Sequence, residues 1–256
     1  MSELEYMERY KPAQLRISPV LSQCYLCGST EKLEVEHVIP KTLFKPHVNK
    51  HPITLRACHD CNHAKSLDDE YNVKSLQLTS FTDKAGDGLK DSAQRLAKKQ
   101  GKILLPRTPG LGLYKDIESR IKTKNVVTPG GVALGQHRAL HINVERYELW
   151  LIALAKGLMT YNTQLIHDWS KYMVRLDYNQ VAQSTELYNG EVSSDLWNNG
   201  EFGQLWKDVF TYRGSITPEK DASMWGMIFY NSHIAIVGFG DKVVAEKRGI
   251  KENPKI

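Results

Sequence analysis

The stretch that decides the fold runs from Cys24 to Lys65 and holds three short motifs: CYLC at 24–27, EHVIP at 36–40 and CHDCN at 58–62. All four cysteines of the chain lie in it, as two C-x-x-C pairs separated by thirty residues. Two close thiol pairs on separate turns can surround one tetrahedral metal ion, and zinc suits four thiolates best. We therefore predict a structural zinc site, rather than four buried thiols or a disulfide pair, with the ligands Cys24, Cys27, Cys58 and Cys61.

The residues between and just after the cysteine pairs carry the chemistry of a single-metal nuclease. An imidazole such as that of His37 titrates near neutrality and can take a proton from water. The carboxylate of Glu36 and the amide oxygen of Asn62 are hard ligands suited to Mg²⁺ or Mn²⁺. A zinc knuckle would bring these residues together, although His37 and Asn62 lie 25 positions apart. The alternative is a structural zinc ribbon in which His37 is a surface histidine.

The combined pattern C-x-x-C … E-H-V-I-P … C-x-x-C-N-x-x-K resembles the HNH endonucleases, the zinc-bearing branch of the ββα-metal nucleases. The resemblance covers about residues 20–70, roughly a quarter of the chain. It implies that the four cysteines form the structural zinc site and that His37 is the general base. It also implies that Glu36 and Asn62 ligate a catalytic Mg²⁺ or Mn²⁺ ion.

The chain departs from the family pattern at Asn62, where many relatives have a third histidine although asparagine is a familiar variant, and at two further positions. Glu36 stands where many relatives have aspartate. The family's middle asparagine belongs just before Cys58, but the chain has PITLRA at 52–57, and Asn49 is the nearest stand-in. The departure at the middle asparagine keeps open a non-catalytic zinc-finger protein that binds nucleic acid.

The resemblance implies metal-assisted hydrolysis of phosphodiester bonds in nucleic acid, with DNA as the expected substrate. Such an endonuclease would serve in restriction, phage defence or a mobile element, and a ribonuclease or partner-gated nickase is a further alternative. Lys65 or Arg56 could neutralise a phosphate oxygen, or each could be a solvated surface charge. We expect His59 and His63 to contact phosphate or solvent, because the cysteines already fill a zinc shell.

Positive charge is concentrated just after the motif. The net charge is zero over residues 1–75, +6 over 76–125 and −1 over 126–256, so one segment accounts for the excess of the whole chain. Residues 89–99 follow a helical pattern in which the basic side chains share the outer face. We expect this face to bind phosphate, the alternative being an ordinary solvated helix. Its predicted substrate-binding residues are Lys90, Arg95, Lys98 and Lys99.

The fold class predicted from these patterns is α+β. An N-terminal ββα-metal (HNH) module with a zinc knuckle precedes a mainly helical C-terminal module of unassigned role. In the second module we expect a helix capped by Asn143, continued helix over 164–176, and a helix or buried turn over 202–210. Residues 225–239 predict a closing β-hairpin. The predicted units are 1–75 (nuclease module), 76–125 (basic helix and linker) and 126–256 (C-terminal module).

Other features restrict the class of protein. No apolar run approaches the length of a membrane span, which is about eighteen residues. The first residues, MSELE, lack the apolar stretch of a secretory signal. Cysteines confined to a metal pattern fit a reducing compartment. We therefore expect a cytoplasmic protein without a membrane partner, whose partner is double-stranded DNA, and a homodimer or protein partner stays open.

Overall fold

The computed structural model describes residues 22–45, 53–80, 86–88, 119, 121–128, 130–164, 172–180, 199–206, 208–218 and 222–241. These ranges form a mixed α+β structure, as the sequence predicts. Its helices of four residues or more are α1 (Lys41–Phe44), α2 (His59–Thr79) and α3 (Val144–Thr163). Its strands are β1 (Leu33–His37), β2 (Thr54–Cys58), β3 (Ile121–Val127), β4 (Ala133–Leu140), β5 (Tyr172–Gln180), β6 (Phe202–Trp206), β7 (Phe210–Ile216), β8 (Ala222–Phe229) and β9 (His233–Asp241).

The first part of the fold is a β-hairpin that leads directly into a long helix. β1 and β2 are antiparallel, with a register that runs from Leu33 opposite Cys58 to His37 opposite Thr54. Helix α2 begins at the residue after β2 and continues to Thr79. Because side chains alternate along a strand, Glu34 and Glu36 lie on the same face of β1.

Helix α3 packs against α2 through polar contacts along their shared side. The predicted cap is confirmed, since Asn143 Oδ1 accepts a hydrogen bond from the Arg146 backbone N–H at 3.0 Å. The Arg146 guanidinium lies 4.2 Å from the ring centre of Tyr71 and 2.5 Å from Asp68 Oδ1. These contacts join α3 to the helix that carries Asn62.

The described residues after 126 contain many more strands than the sequence predicts. Strands β5 to β9 form a five-stranded antiparallel sheet in the order β5-β9-β8-β7-β6, and β3 pairs with β4 in a separate hairpin. Helix α3 is the only long helix in this described part. The prediction of a mainly helical second module is therefore wrong for these residues, whereas the predicted hairpin at 225–239 is confirmed as β8 and β9.

Strands occupy all or part of two segments that the sequence predicts as helical. Residues 202–210 form β6 and the start of β7, joined by a turn in which Asp208 has a φ of 60°. The Phe202 ring stacks on Trp225 of β8, with ring centres 5.9 Å apart. The predicted helix over 164–176 is wrong at 172–176, which belong to β5, and 165–171 lie outside the described residues. Short apolar runs at helical spacing do not distinguish a helix from a buried strand.

One hydrophobic core joins the hairpin–helix unit to the C-terminal sheet. Phe44 of α1 packs against Trp206 and Phe210, with ring centres 5.3 Å and 6.4 Å apart. Gly214 lies opposite Trp225 on the neighbouring strand, and a Cβ added there would overlap the indole ring. Glycine at this position therefore leaves room for the Trp225 side chain between the strands. Most of the predicted linker over 76–125 lies outside the described residues. Its boundaries stay a prediction.

None of the described helices has the length and apolar character needed to cross a membrane.

Candidate metal centre

The four cysteines converge at the end of the β1–β2 hairpin. Cys24 and Cys27 lie on the turn before β1, Cys58 ends β2, and Cys61 lies in the first turn of α2. All four Sγ atoms lie within 4.8 Å of one another, and all four thiols are free. Tetrahedral zinc at about 2.3 Å from each sulfur places the sulfurs about 3.8 Å apart. The cluster therefore could hold a metal ion such as zinc.

Backbone hydrogen bonds shape the first cysteine turn. The Cys24 N–H donates to Ser29 O at 2.7 Å, and the Gly28 N–H donates to Cys24 O at 2.8 Å. Gly28 has a φ of 77°, a conformation that glycine adopts without steric cost. The Tyr25 N–H donates to Arg56 O at 3.0 Å, which fastens the turn to β2. These hydrogen bonds place the Cys24 and Cys27 thiols on the side of the turn that faces Cys58 and Cys61.

Burial and hydrogen bonding shift the pKa values of the cluster's thiols in different directions. Burial raises the pKa of the Cys24 and Cys61 thiols, with a large rise for Cys61. A hydrogen bond from the Cys61 backbone N–H lowers the pKa of the Cys58 thiol. A bound cation is what would hold four thiolates together in this setting. Four sulfur donors this close together are suited to zinc.

Asn62 lies beside a carboxylate that the sequence reasoning missed. Its Nδ2 donates to Glu34 Oε2 at 2.7 Å, which turns the amide so that Oδ1 points away from Glu34. The other oxygen of Glu34 lies 2.9 Å from His59 Nδ1. The hydrogen bond from His59 lowers the pKa of Glu34, and the same contact raises the pKa of His59. Strand alternation was the available signal, because it places Glu34 and Glu36 on one face.

Glu36 of β1 is buried in an ion cluster. Its partner on α2 is Lys65, which lies about one helical turn after Asn62. Glu36 Oε1 lies 2.7 Å from Lys65 Nζ, and Asp69 Oδ2 lies 2.9 Å from the same ammonium. Burial opposes the charge on Lys65, but Asp69 and Glu36 outweigh it and raise the pKa of the ammonium. Burial raises the pKa of Asp69, and the adjacent Lys65 limits that rise.

This geometry supports neither interpretation of Lys65, the phosphate contact or the solvated surface charge. The Lys65 side chain is 3% exposed, and Nζ also donates to His37 O at 3.2 Å. The ammonium therefore points into the protein, where it balances carboxylates. Arg56 is half-buried on β2 opposite Val35, and its role stays a prediction.

The structure brings Glu36 and Asn62 to the same strand–helix interface. Asn62 and Lys65 lie three residues apart on the side of α2 that faces β1, where Glu34 and Glu36 contact them in turn. His37 is half-buried at the end of β1, and its carbonyl is held by Lys65. His59 and His63 are exposed on α2, with their rings stacked at 6.3 Å. The predicted substrate-binding residues Lys90, Arg95, Lys98 and Lys99 lie outside the described residues.

Comparison of the chain with protein-family models, with curated proteins and with solved structures found no match.

Proposed function

We propose that this chain is a metal-dependent endonuclease of the HNH type, which hydrolyses phosphodiester bonds in double-stranded DNA. The observation that carries the proposal is the position of Glu36 and Asn62 on facing sides of the β1–α2 interface, beside the four-cysteine cluster. The order of hairpin then helix supports the resemblance in the motifs. In this proposal Cys24, Cys27, Cys58 and Cys61 hold a structural zinc ion.

The residues of the site would divide the reaction as follows. His37 accepts the proton of the attacking water, as an imidazole near neutrality can. Glu36 and Asn62 Oδ1 would hold a divalent ion such as Mg²⁺ or Mn²⁺, which supplies electrostatic stabilisation to the phosphate and the leaving oxygen. Glu34 orients the amide of Asn62 through its hydrogen bond to Nδ2.

The basic segment supports nucleic acid as the partner. The described part of this segment includes the start of the β3–β4 hairpin, where Lys122 is exposed. No acidic residue occurs between Ile121 and Val144. A two-stranded ribbon with positive charge suits the DNA major groove and its phosphates.

A second candidate function is a zinc protein that binds nucleic acid without cleaving it. The ion pair between Glu36 and Lys65 favours it, because a carboxylate already balanced by a cation is a weaker metal ligand. The two functions differ in one measurable property. Only the endonuclease needs a divalent ion besides zinc.

The proposal is tested by substituting Asn62 and titrating Mg²⁺ in a duplex-DNA cleavage assay, with an RNA of the same sequence alongside. Asn62→Asp keeps an oxygen ligand but loses the hydrogen bond to Glu34, so it should retain part of the cleavage, whereas Asn62→Ala should lose it at all but high Mg²⁺. Equal activity of both variants would exclude Asn62 as a ligand. Cleavage of the RNA alone would make the enzyme a ribonuclease.

A further inference from the structure

The Lys65 ammonium is the centre of a buried charge chain that crosses from the hairpin to the second half of the protein. Its neighbours are Glu36 Oε1 at 2.7 Å, the His37 carbonyl at 3.2 Å, and both oxygens of Asp69 at 3.0 Å and 2.9 Å. One cation therefore touches the residue proposed as a metal ligand and the backbone of the proposed base.

The end of this charge chain that lies farthest from the hairpin is a residue of α3. Trp150 Nε1 donates to Asp69 Oδ1 at 2.7 Å, although the two residues are 81 positions apart. Trp150 is 1% exposed and packs on Phe229 of the C-terminal sheet, with ring centres 5.5 Å apart. A buried indole N–H fixed by its surroundings is a rigid donor, so Asp69 is held in one position.

The charges of Lys65, Glu36 and Asp69 explain how Glu36 can still attract a metal ion. Two carboxylates and one ammonium leave a net charge of −1 at the buried end of the β1–α2 interface. Asp69 shares the ammonium and holds it with two hydrogen bonds. If the Asp69 carboxylate were absent, the Lys65 ammonium would balance the charge of Glu36 completely. The attraction of Glu36 for a divalent cation would then fall.

We propose that Asp69 and Trp150 are positioning residues of the nuclease site, which hold Lys65 so that Glu36 keeps its affinity for a divalent cation and the His37 backbone stays in place. The inference rests on the proposed function and gives the C-terminal half a role in it. The C-terminal sheet packs against Trp150, and the Trp150 indole N–H donates to Asp69. Asp69 in turn sets how strongly Lys65 competes with a divalent cation for Glu36.

The test is Mn²⁺ binding to the zinc-loaded protein, measured by electron paramagnetic resonance of free Mn²⁺, for wild type, Asp69→Asn, Trp150→Phe and Asp68→Asn. Asp68→Asn is the matched control, because Asp68 joins the same two helices through Arg146. Trp150→Phe removes the indole donor and keeps an aromatic ring in the core. Zinc content and thermal melting of each variant show whether it has folded.

Loss of a group that orients a metal ligand weakens metal affinity by about 10–100-fold. We expect that loss for Asp69→Asn, a smaller loss in the same direction for Trp150→Phe, and a value close to wild type for Asp68→Asn, since partly exposed ion pairs contribute little. If Asp69→Asn does not fold, Trp150→Phe carries the test.

Suppose wild type, Asp69→Asn and Trp150→Phe bind Mn²⁺ with equal affinity, whatever their melting temperatures. The contacts from Trp150 through Asp69 to Lys65 would then be purely structural, and this inference alone would be overturned. Absence of any Mn²⁺ binding by the zinc-loaded wild type would overturn the proposed function and this inference together. Equal weakening by Asp69→Asn and Asp68→Asn would assign the effect to helix packing and also overturn the inference.

Discussion

His233 makes the stability of the protein depend on pH in a way that one substitution can isolate. It begins β9, is 6% exposed, and its Nε2 lies 3.1 Å from Thr79 Oγ1 at the end of α2. Burial lowers the pKa of His233 to about 4 from 6.5. The neutral ring therefore joins the helix that carries Asn62 to the C-terminal sheet.

The size of the effect follows from proton linkage. The unfolded chain binds a proton at this ring more tightly than the folded protein does, so the contribution of His233 is complete above pH 6.5 and declines as the pH falls. A shift from 6.5 to about 4 corresponds to a loss of about 2 kcal/mol at pH 5 and about 3 kcal/mol at pH 4.

Urea unfolding of wild type and His233→Gln at pH 7.5 and pH 5 measures this loss. Gln keeps a donor for the Thr79 hydroxyl but does not titrate, so the stability difference between the two proteins should shift by about 2 kcal/mol in favour of the variant at pH 5. Acid would release zinc from the cysteine cluster of both proteins alike, so the comparison cancels that effect. A difference independent of pH would refute the assignment of a neutral, buried ring.

Three further predictions concern the metal centre and its packing. Cys58→Ser should release zinc and lower the melting temperature by several degrees, measured by metal analysis and calorimetry; full zinc content with an unchanged melting curve would contradict the cluster. Gly157→Ala should destabilise the protein by about 1–3 kcal/mol in urea unfolding despite its better helix propensity, because an added Cβ would overlap Val38; a gain in stability would contradict that contact. Tyr25→Phe should change the free energy of unfolding by less than about 1 kcal/mol, since the buried Tyr25 hydroxyl has no hydrogen-bond partner among the described residues; a large loss would reveal a partner.

The features that the sequence predicts correctly are those encoded by neighbouring residues. The two C-x-x-C pairs, the asparagine cap of α3 and the closing hairpin each depend on residues within a few positions of one another. Local spacing fixes a turn, a cap or a hairpin, so it can be read without the rest of the fold.

The contacts around the candidate site depend on residues far apart in the chain. Glu34 and Asn62 are 28 positions apart, and Asp69 and Trp150 are 81 apart. No periodic pattern predicts that an indole will meet a carboxylate at that distance. The burial of Lys65 has the same origin, because it depends on Glu36 and Asp69 approaching from two elements.

The C-terminal sheet was missed for a related reason. Phe202, Trp206 and Phe210 recur every four residues, which favours a helix by spacing alone. In the structure they pack on rings from other elements, such as Trp225 of β8 and Phe44 of α1. Packing of this kind decides between helix and strand only when the partner strands are known.

The most direct measurement is cleavage of supercoiled plasmid by zinc-loaded wild type, His37→Ala and His63→Ala, each with Mg²⁺, with Mn²⁺ and with EDTA. His63 is the matched control, because it is an exposed histidine on the adjoining helix. The account predicts nicked or linear product from wild type and His63→Ala, none from His37→Ala, and none in EDTA. Cleavage by His37→Ala at the wild-type rate, or no cleavage by any of the three proteins, would contradict it.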